Sequence, residues 1–204
     1  MISNDFTLYD LRQQFGVDLR AKKLFAATAS AEPTEWLRQS VRMGMTIGIS
    51  NERARAERLV TPVLLELCDR NDHAFSIHST AVTDATQEAN GGSSFTCSFN
   101  RIQDFIAPPI FLVVDTCYRE TSDELLPLIQ QLISARRLNE QEQKPIRTLY
   151  GCSTTGVEWR FLKYEGTEFI LDENRYYLAQ LPALLGALQA IIDATRAVAT
   201  YSPS

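Results

Sequence analysis

A chain of 204 residues is long enough for one domain with a sizeable core, and 45% hydrophobic with 22% charged residues is the balance of a globular protein. A formal net charge of −5 and a pI near 5.1 count against a broadly basic, phosphate-gripping surface. No repeat, low-complexity tract or apolar run of about 18 residues stands out, and the opening MISNDFTLYDLRQQ lacks the basic-then-apolar pattern of a secretory leader, so a cytoplasmic protein without membrane association is the expectation.

In chain order, residues 1–49 read as a helical N-terminal region packed on a core formed by residues 50–204, the whole being one domain. Phe6, Leu8, Leu11 and Phe15 fall near helical spacing and Gly16 can close that segment. A second helix starts near Pro33, with Trp36, Leu37 and Val41 facing inward, and Met43-Gly-Met-Thr-Ile-Gly-Ile49 reads as a buried connection. Ser50 or Asn51 can cap a long helix in which Arg53 and Glu57 pair, Pro62 makes a kink, and the polar first half gives way to the apolar Leu59, Val60, Val63, Leu64, Leu65 and Leu67.

From Phe75 the periodicity becomes that of strands. Phe75 to Ser79 is one candidate, Thr83 to Ser94 a polar loop, and Phe95 to Ile102 a half-buried strand. Ile110 to Val114 is a continuous β-branched and apolar run, fit for a strand buried on both faces, and it ends on Asp115. An acid at the C-terminal mouth of a central strand is either a site residue or merely the first polar position after the strand. Thr121 or Ser122 caps a crossover helix through Leu138; strands follow at 146–153, 157–164 and 168–171, and Pro182 begins a last helix. The pattern predicts an α/β fold, a single-domain mixed β-sheet flanked by helices. Cys68, Cys97, Cys117 and Cys152 form no CxxC pair. With only His73 and His78 beside them they match no zinc spacing, and they read as reduced thiols. Cys117 has no histidine near it in sequence to act as a base.

Three segments then carry a resemblance: Glu57-Arg-Leu-Val-Thr-Pro-Val-Leu-Leu-Glu-Leu67, Pro109-Ile-Phe-Leu-Val-Val-Asp115, and Tyr150-Gly-Cys-Ser-Thr-Thr-Gly-Val-Glu-Trp-Arg-Phe-Leu-Lys-Tyr-Glu-Gly166. Together, over about residues 50–166, they resemble a group of short bacterial proteins frequent in cyanobacteria. That group is similar to a branch of the PD-(D/E)XK nuclease superfamily, with its restriction-endonuclease-like fold. The resemblance implies metal-assisted phosphodiester hydrolysis: a helix acid, a strand acid and an acid-x-lysine triplet holding Mg²⁺ and a water nucleophile at one sheet edge.

Carried over position by position, the pattern is broken. Glu57 matches the helix acid. Ser98, in Cys97-Ser-Phe99, stands where the strand acid belongs. The triplet falls on Asp115-Thr-Cys117, with a cysteine in place of the lysine, and the acid of the following helix falls on Gln131. The resemblance so read implies a catalytically impaired nuclease fold that acts by binding and needs no cofactor. Its partner would be a protein, in a homo- or hetero-oligomer, or, as the alternative, nucleic acid through Arg53, Arg55 and Arg58, with Arg136 and Arg137 as further contacts. As a bland alternative, these arginines are solvated helix charges. The alternative function is a Mg²⁺-dependent endonuclease with a displaced site, in which Asp115 and Glu57 hold the metal and Asp104 or Lys163 has migrated into the missing roles.

Overall fold

The computed structural model describes residues 16, 18–25, 29–80, 93–101, 104–117 and 125–199. Helices pack on both faces of a mixed sheet. In chain order the elements are β1 (Asp18–Lys22), α1 (Glu35–Ile47), α2 (Glu52–Arg55), a π-helical turn (Ala56–Val60), α3 (Thr61–Asp69), β2 (Ser76–His78), β3 (Ser93–Ser98), β4 (Ile110–Thr116), α4 (Leu125–Gln141), β5 (Thr148–Thr154), β6 (Glu158–Glu165), β7 (Glu168–Asp172), β8 (Tyr176–Tyr177), a 3₁₀ turn (Leu178–Gln180) and α5 (Leu181–Ala199). The strand order is β1-β7-β6-β5-β4-β3-β2, with β8 pairing β6. β4 and β5 run parallel, joined by α4 as the crossover, and β1 runs parallel to β7; the other pairs are antiparallel.

Two cores lie against the sheet. On one face Leu37 of α1, Leu59 and Val60 of the π turn, Leu64 and Leu67 of α3, and Leu184, Leu188 and Ile191 of α5 pack on Phe95, Val114, Cys152, Trp159 and Phe161. On the other, Leu128, Ile129, Leu132 and Ala135 of α4 pack on Val113, Leu149, Leu162 and Phe169. Leu178–Ala197 is a helical stretch long and apolar enough to cross a membrane, yet Leu184, Leu185, Leu188, Ile191 and Ile192 have no exposed surface and line the first of these cores.

Four differences from the sequence reading have physical causes. Residues 18–22 form an edge strand rather than helix: Leu19 packs on the α4-side core while its charged neighbours face solvent. Trp36 turns outward, 51% exposed, because the buried stripe of α1 runs through Leu37 and Gly44. Met43 to Ile47 continue that helix instead of forming a buried connection, and Met43 and Ile47 are 59% and 69% exposed. Pro62 bends the chain through a widened turn upstream of it. Proline has no N–H for the Arg58 carbonyl and its ring crowds that oxygen, so Thr61 bonds back to Ala56 O through both its N–H and, at 2.9 Å, its hydroxyl. The Arg58 carbonyl so released faces α1 at Gly44, where a built Cβ would lie 2.6 Å from it, so only glycine lets the two helices come this close.

Phe6 to Phe15, Thr83 to Gly92 and the cap at Thr121 or Ser122 lie outside the described residues. The Asn51 cap and the Arg53–Glu57 pair form as expected: Asn51 Oδ1 accepts from Ala54 N at 2.8 Å and Arg53 Nε donates to Glu57 Oε1 at 2.8 Å.

The TTG-EW segment is a clamp. Thr154 Oγ1 donates to Glu158 O at 2.7 Å and accepts from Gly156 N at 2.9 Å, and Trp159 Nε1 donates to Gly156 O at 3.2 Å. Arg55 of α2 donates to Thr155 O at 2.9 Å and Cys117 N to Thr154 O at 2.8 Å, so one turn ties α2 to the ends of β4 and β5.

Candidate functional site

The residues that could carry chemistry meet where parallel β4 and β5 end, on the α4 face. Asp115, 8% exposed, lies in register with Ser94 of β3 on one side and Ser153 of β5 on the other. Ser94 Oγ donates to Asp115 Oδ1 at 2.6 Å. Gln131 of α4 donates from Nε2 to the same Oδ1 at 3.1 Å and lies 3.3 Å from Ser94 Oγ. The carboxylate only accepts, so it fixes which way the amide points: nitrogen toward the acid, oxygen away. That oxygen, Gln131 Oε1, is buried and has no hydrogen-bond partner among the described residues. Cys117, one step further on the same face, places Sγ 3.6 Å from Ser153 Oγ.

The residues expected around Asp115 divide sharply. Gln131 and Cys117 are brought to it. Ser98 is not: it pairs with Ile110 at the opposite end of β4 from Asp115, and its hydroxyl bonds to the carbonyls of Ala107 and of Pro109, the latter at 3.1 Å. At about 3.3 Å per residue, Ser98 stands some 13 Å along the strand from Ser94. Ser94 is therefore the residue facing the acid, and the sequence reading missed it together with Ser153. A simple antiparallel count could not have found it: counting back from the Ser98–Ile110 pair reaches Ser94 opposite Val114, and it is the register shift between Cys97 and Ser98 that brings Ser94 opposite Asp115.

Glu57 sits on the π turn, whose Ala56, Leu59 and Val60 pack in the core of the face opposite α4, and its 55% exposed side chain is held by Arg53. Neither migrated partner reaches the acid. Asp104 is exposed in the loop before β4, beyond the strand's far end. Lys163 pairs with Tyr150, three positions before Ser153 on β5, and bonds Glu165 at 2.7 Å.

Among the candidate phosphate contacts, Arg55 is spent on Thr155 O and Arg58 donates to Gly48 O, each tying down a loop. Arg136 stacks 3.8 Å over the Tyr164 ring and bonds the carbonyls of Gly166 and of Arg147, the latter at 3.1 Å. Arg53 and Arg137 are exposed on α2 and α4. The histidines belong elsewhere. His73 lies 3.8 Å from Cys68 Sγ and 3.6 Å from Asp69, and His78 Nε2 lies 3.0 Å from Ser76 Oγ. Ser76 gives its proton to Asn100 O at 2.7 Å, so the imidazole donates to the hydroxyl rather than drawing a proton from it.

Among the described residues no three His, Cys, Asp or Glu side chains converge on a common point. A Mg²⁺ ion needs one or two carboxylates and open oxygen lone pairs. Here Asp115 Oδ1 is occupied by a hydroxyl and an amide donor, and the described residues bring no set of three ligand-type side chains around it. The donor set does not fit the metal centre that the sequence resemblance implies. Comparison with protein-family models, with curated proteins and with solved structures gives no match.

Proposed function

We propose that this chain is a restriction-endonuclease-like scaffold whose cation-binding centre has been lost, and that it acts by binding a protein partner. The observation that carries the reading is the set of groups at Asp115: a serine hydroxyl and a carboxamide donate to it, in positions where acids would be needed to share a metal. With an acid missing at that point and a thiol in place of the lysine, the charge of a phosphodiester transition state meets no fixed counter-charge among the described residues. Loss of one such stabilising group costs about 10²–10³ in rate. A protein partner is favoured over nucleic acid by the net charge of −5 and by the engagement of Arg55 and Arg58 with backbone carbonyls. It is further supported by Trp36, Met43 and Ile47, exposed along one stripe of α1.

The second reading, a Mg²⁺-dependent endonuclease with a displaced site, draws on one feature: the unpartnered Gln131 Oε1 adds a hard oxygen beside Asp115. Calorimetric titration with Mg²⁺ and Mn²⁺, and cleavage assays on single- and double-stranded DNA and RNA, separate the two. The expected result is neither cation binding at millimolar concentration nor cleavage. Metal-dependent cleavage abolished by Asp115→Ala would overturn the proposal. For the binding arm, Trp36→Asp with Ile47→Asp is expected to remove a partner captured from cell extract by the native chain; retention of that partner places its contact elsewhere.

A further inference from the structure

Strand β1 closes one edge of the sheet: β7 pairs with one side of it, and among the described residues no strand pairs with the other. The direction of its backbone groups is fixed by two bonds. Asp18 N donates to Thr167 O at 3.2 Å, and Lys22 O accepts from Glu173 N at 3.3 Å. Positions 18, 20 and 22 therefore turn their N–H and C=O toward β7, and Leu19 and Ala21 turn theirs outward. Such a row is a template for a further strand.

The side chains decide which strand fits. Asp18, Arg20 and Lys22 share one face of β1, and Leu19 and Ala21 share the other, where Leu19 packs on the α4-side core. Charges on an edge strand usually repel a second copy. Here the sign reverses along the strand, so a copy lying antiparallel with Arg20 at the two-fold axis meets opposite charges. Asp18 faces Lys22 of the copy, Lys22 faces its Asp18, and Leu19 faces its Ala21. The backbone agrees with the side chains: in this register Leu19 and Ala21, the residues with outward groups, form the two pairs that exchange both hydrogen bonds, and Arg20 falls at the non-bonded position between them. The one like-charge contact is Arg20 with its own copy, and each Arg20 is already bonded to Glu168 at 2.5 Å. Glu168 is also the register partner of Asp18, so two carboxylates stand side by side where the lysine of the copy arrives.

We propose that a second copy of this chain docks antiparallel on the outer edge of β1, about a two-fold axis at Arg20, and joins the two sheets into one. This does not depend on the reading of the Asp115 site. Sedimentation velocity of the full chain over a concentration series tests it. A dimer is expected, and Ala21→Pro should abolish it: the substitution removes an outward N–H, leaves the β7 pairing intact, and proline is tolerated at such edge positions. Far-UV circular dichroism reports whether that variant keeps its fold. Asp18→Lys should weaken the dimer about tenfold, and Asp18→Lys combined with Lys22→Asp should restore it to within about threefold, since the swapped pairs are again of opposite sign. A chain that stays monomeric to about 1 mM, a folded Ala21→Pro variant that dimerises as the wild type does, or a double swap that fails to restore association would overturn the proposal.

Discussion

Asn139 is the most consequential polar residue in the fold outside the candidate site. It lies on α4, 1% exposed, and its side chain treats Ile110 as a neighbouring strand would: Nδ2 donates to Ile110 O and Oδ1 accepts from Ile110 N, both at 2.8 Å. The need for it follows from the register. β4 begins pairing with β5 only at Leu112, so the β5 side of Ile110 has no strand beside it, and a carboxamide supplies the missing ladder rung. Asn139→Ala leaves one buried N–H and one buried C=O unsatisfied, at roughly 1–3 kcal/mol each, or about 2–6 kcal/mol together. That is a large part of the roughly 5–15 kcal/mol that holds an ordinary domain folded. Urea unfolding, followed by tryptophan fluorescence, should show a lower midpoint with an unchanged slope. Asn139→Asp should be destabilised at neutral pH as well, because a carboxylate would then face the Ile110 carbonyl, and should recover as acid protonates it into a donor. A loss below about 1 kcal/mol for Asn139→Ala would refute the argument, since it would mean that Ile110 finds other partners without cost.

Four further outcomes follow from the same geometry. Glu66, 3% exposed, accepts from Thr34 N at 3.0 Å, Thr34 Oγ1 at 2.5 Å and Arg70 at 3.0 Å. Burial pushes its carboxyl up, but the bonds from Thr34 and Arg70 outweigh this and hold it below the usual glutamate value. Its contribution is therefore complete above the unfolded-state value and is lost as pH falls through the folded one, so Glu66→Gln should be less stable than wild type at pH 7 and the gap should narrow toward pH 3 in urea titrations. Gly44→Ala should destabilise by about 1–3 kcal/mol in thermal unfolding, because the crowding at the Arg58 carbonyl exceeds the helix-propensity gain of about 1 kcal/mol. In native protein a thiol reagent should modify Cys68 alone among the four cysteines, slowly at pH 7 and faster as pH rises, since burial and then Asp69 push that thiol up while Cys97, Cys117 and Cys152 are buried. Asp115→Ala should cost more stability in urea than Asp115→Asn, because Asn keeps an acceptor for Ser94 and Gln131, whereas Ala takes the Asp115 acceptor from both and leaves Gln131 only the longer bond to Ser94 Oγ at 3.3 Å.

How much of this was legible in the sequence depended on how local the cause was. The β4 run announced itself because a strand covered on both faces must be apolar throughout, and β6 and β7 because a tight turn joins two alternating segments. β1 was hidden, since a five-residue edge strand with three charges has the composition of a loop and is made a strand only by β7 beside it. Trp36 was misplaced for a related reason: helical spacing fixes which residues share a stripe, but the identity of the buried stripe was decided by a glycine, Gly44, meeting a carbonyl two helices away in sequence. At the candidate site Asp115, Cys117 and Gln131 were found because strand β4 and helix α4 are well marked. Ser94 was lost because its relation to Asp115 is a matter of register between β3 and β4, bulge included, and the strand-acid position of the resemblance, Ser98, lies at the other end of β3.

That register changes what the broken pattern means. Were no serine of β3 beside it, Asp115 Oδ1 would lose its shorter donor and keep the Gln131 amide, and an under-compensated buried carboxylate is costly. With Ser94 in that place the acid is compensated from within the protein. A hydroxyl from β3 and an amide from α4 supply the donors that a cation would otherwise make unnecessary, and the remaining polar neighbours, Cys117 and Ser153, contact each other. Each of these groups is neutral, so among the described residues Asp115 is met by neutral donors rather than by a cluster of carboxylates. On the reading proposed above, the stability of the fold should be indifferent to chelators and to added Mg²⁺. A centre merely waiting for its metal would instead gain stability by mass action as the ion is added.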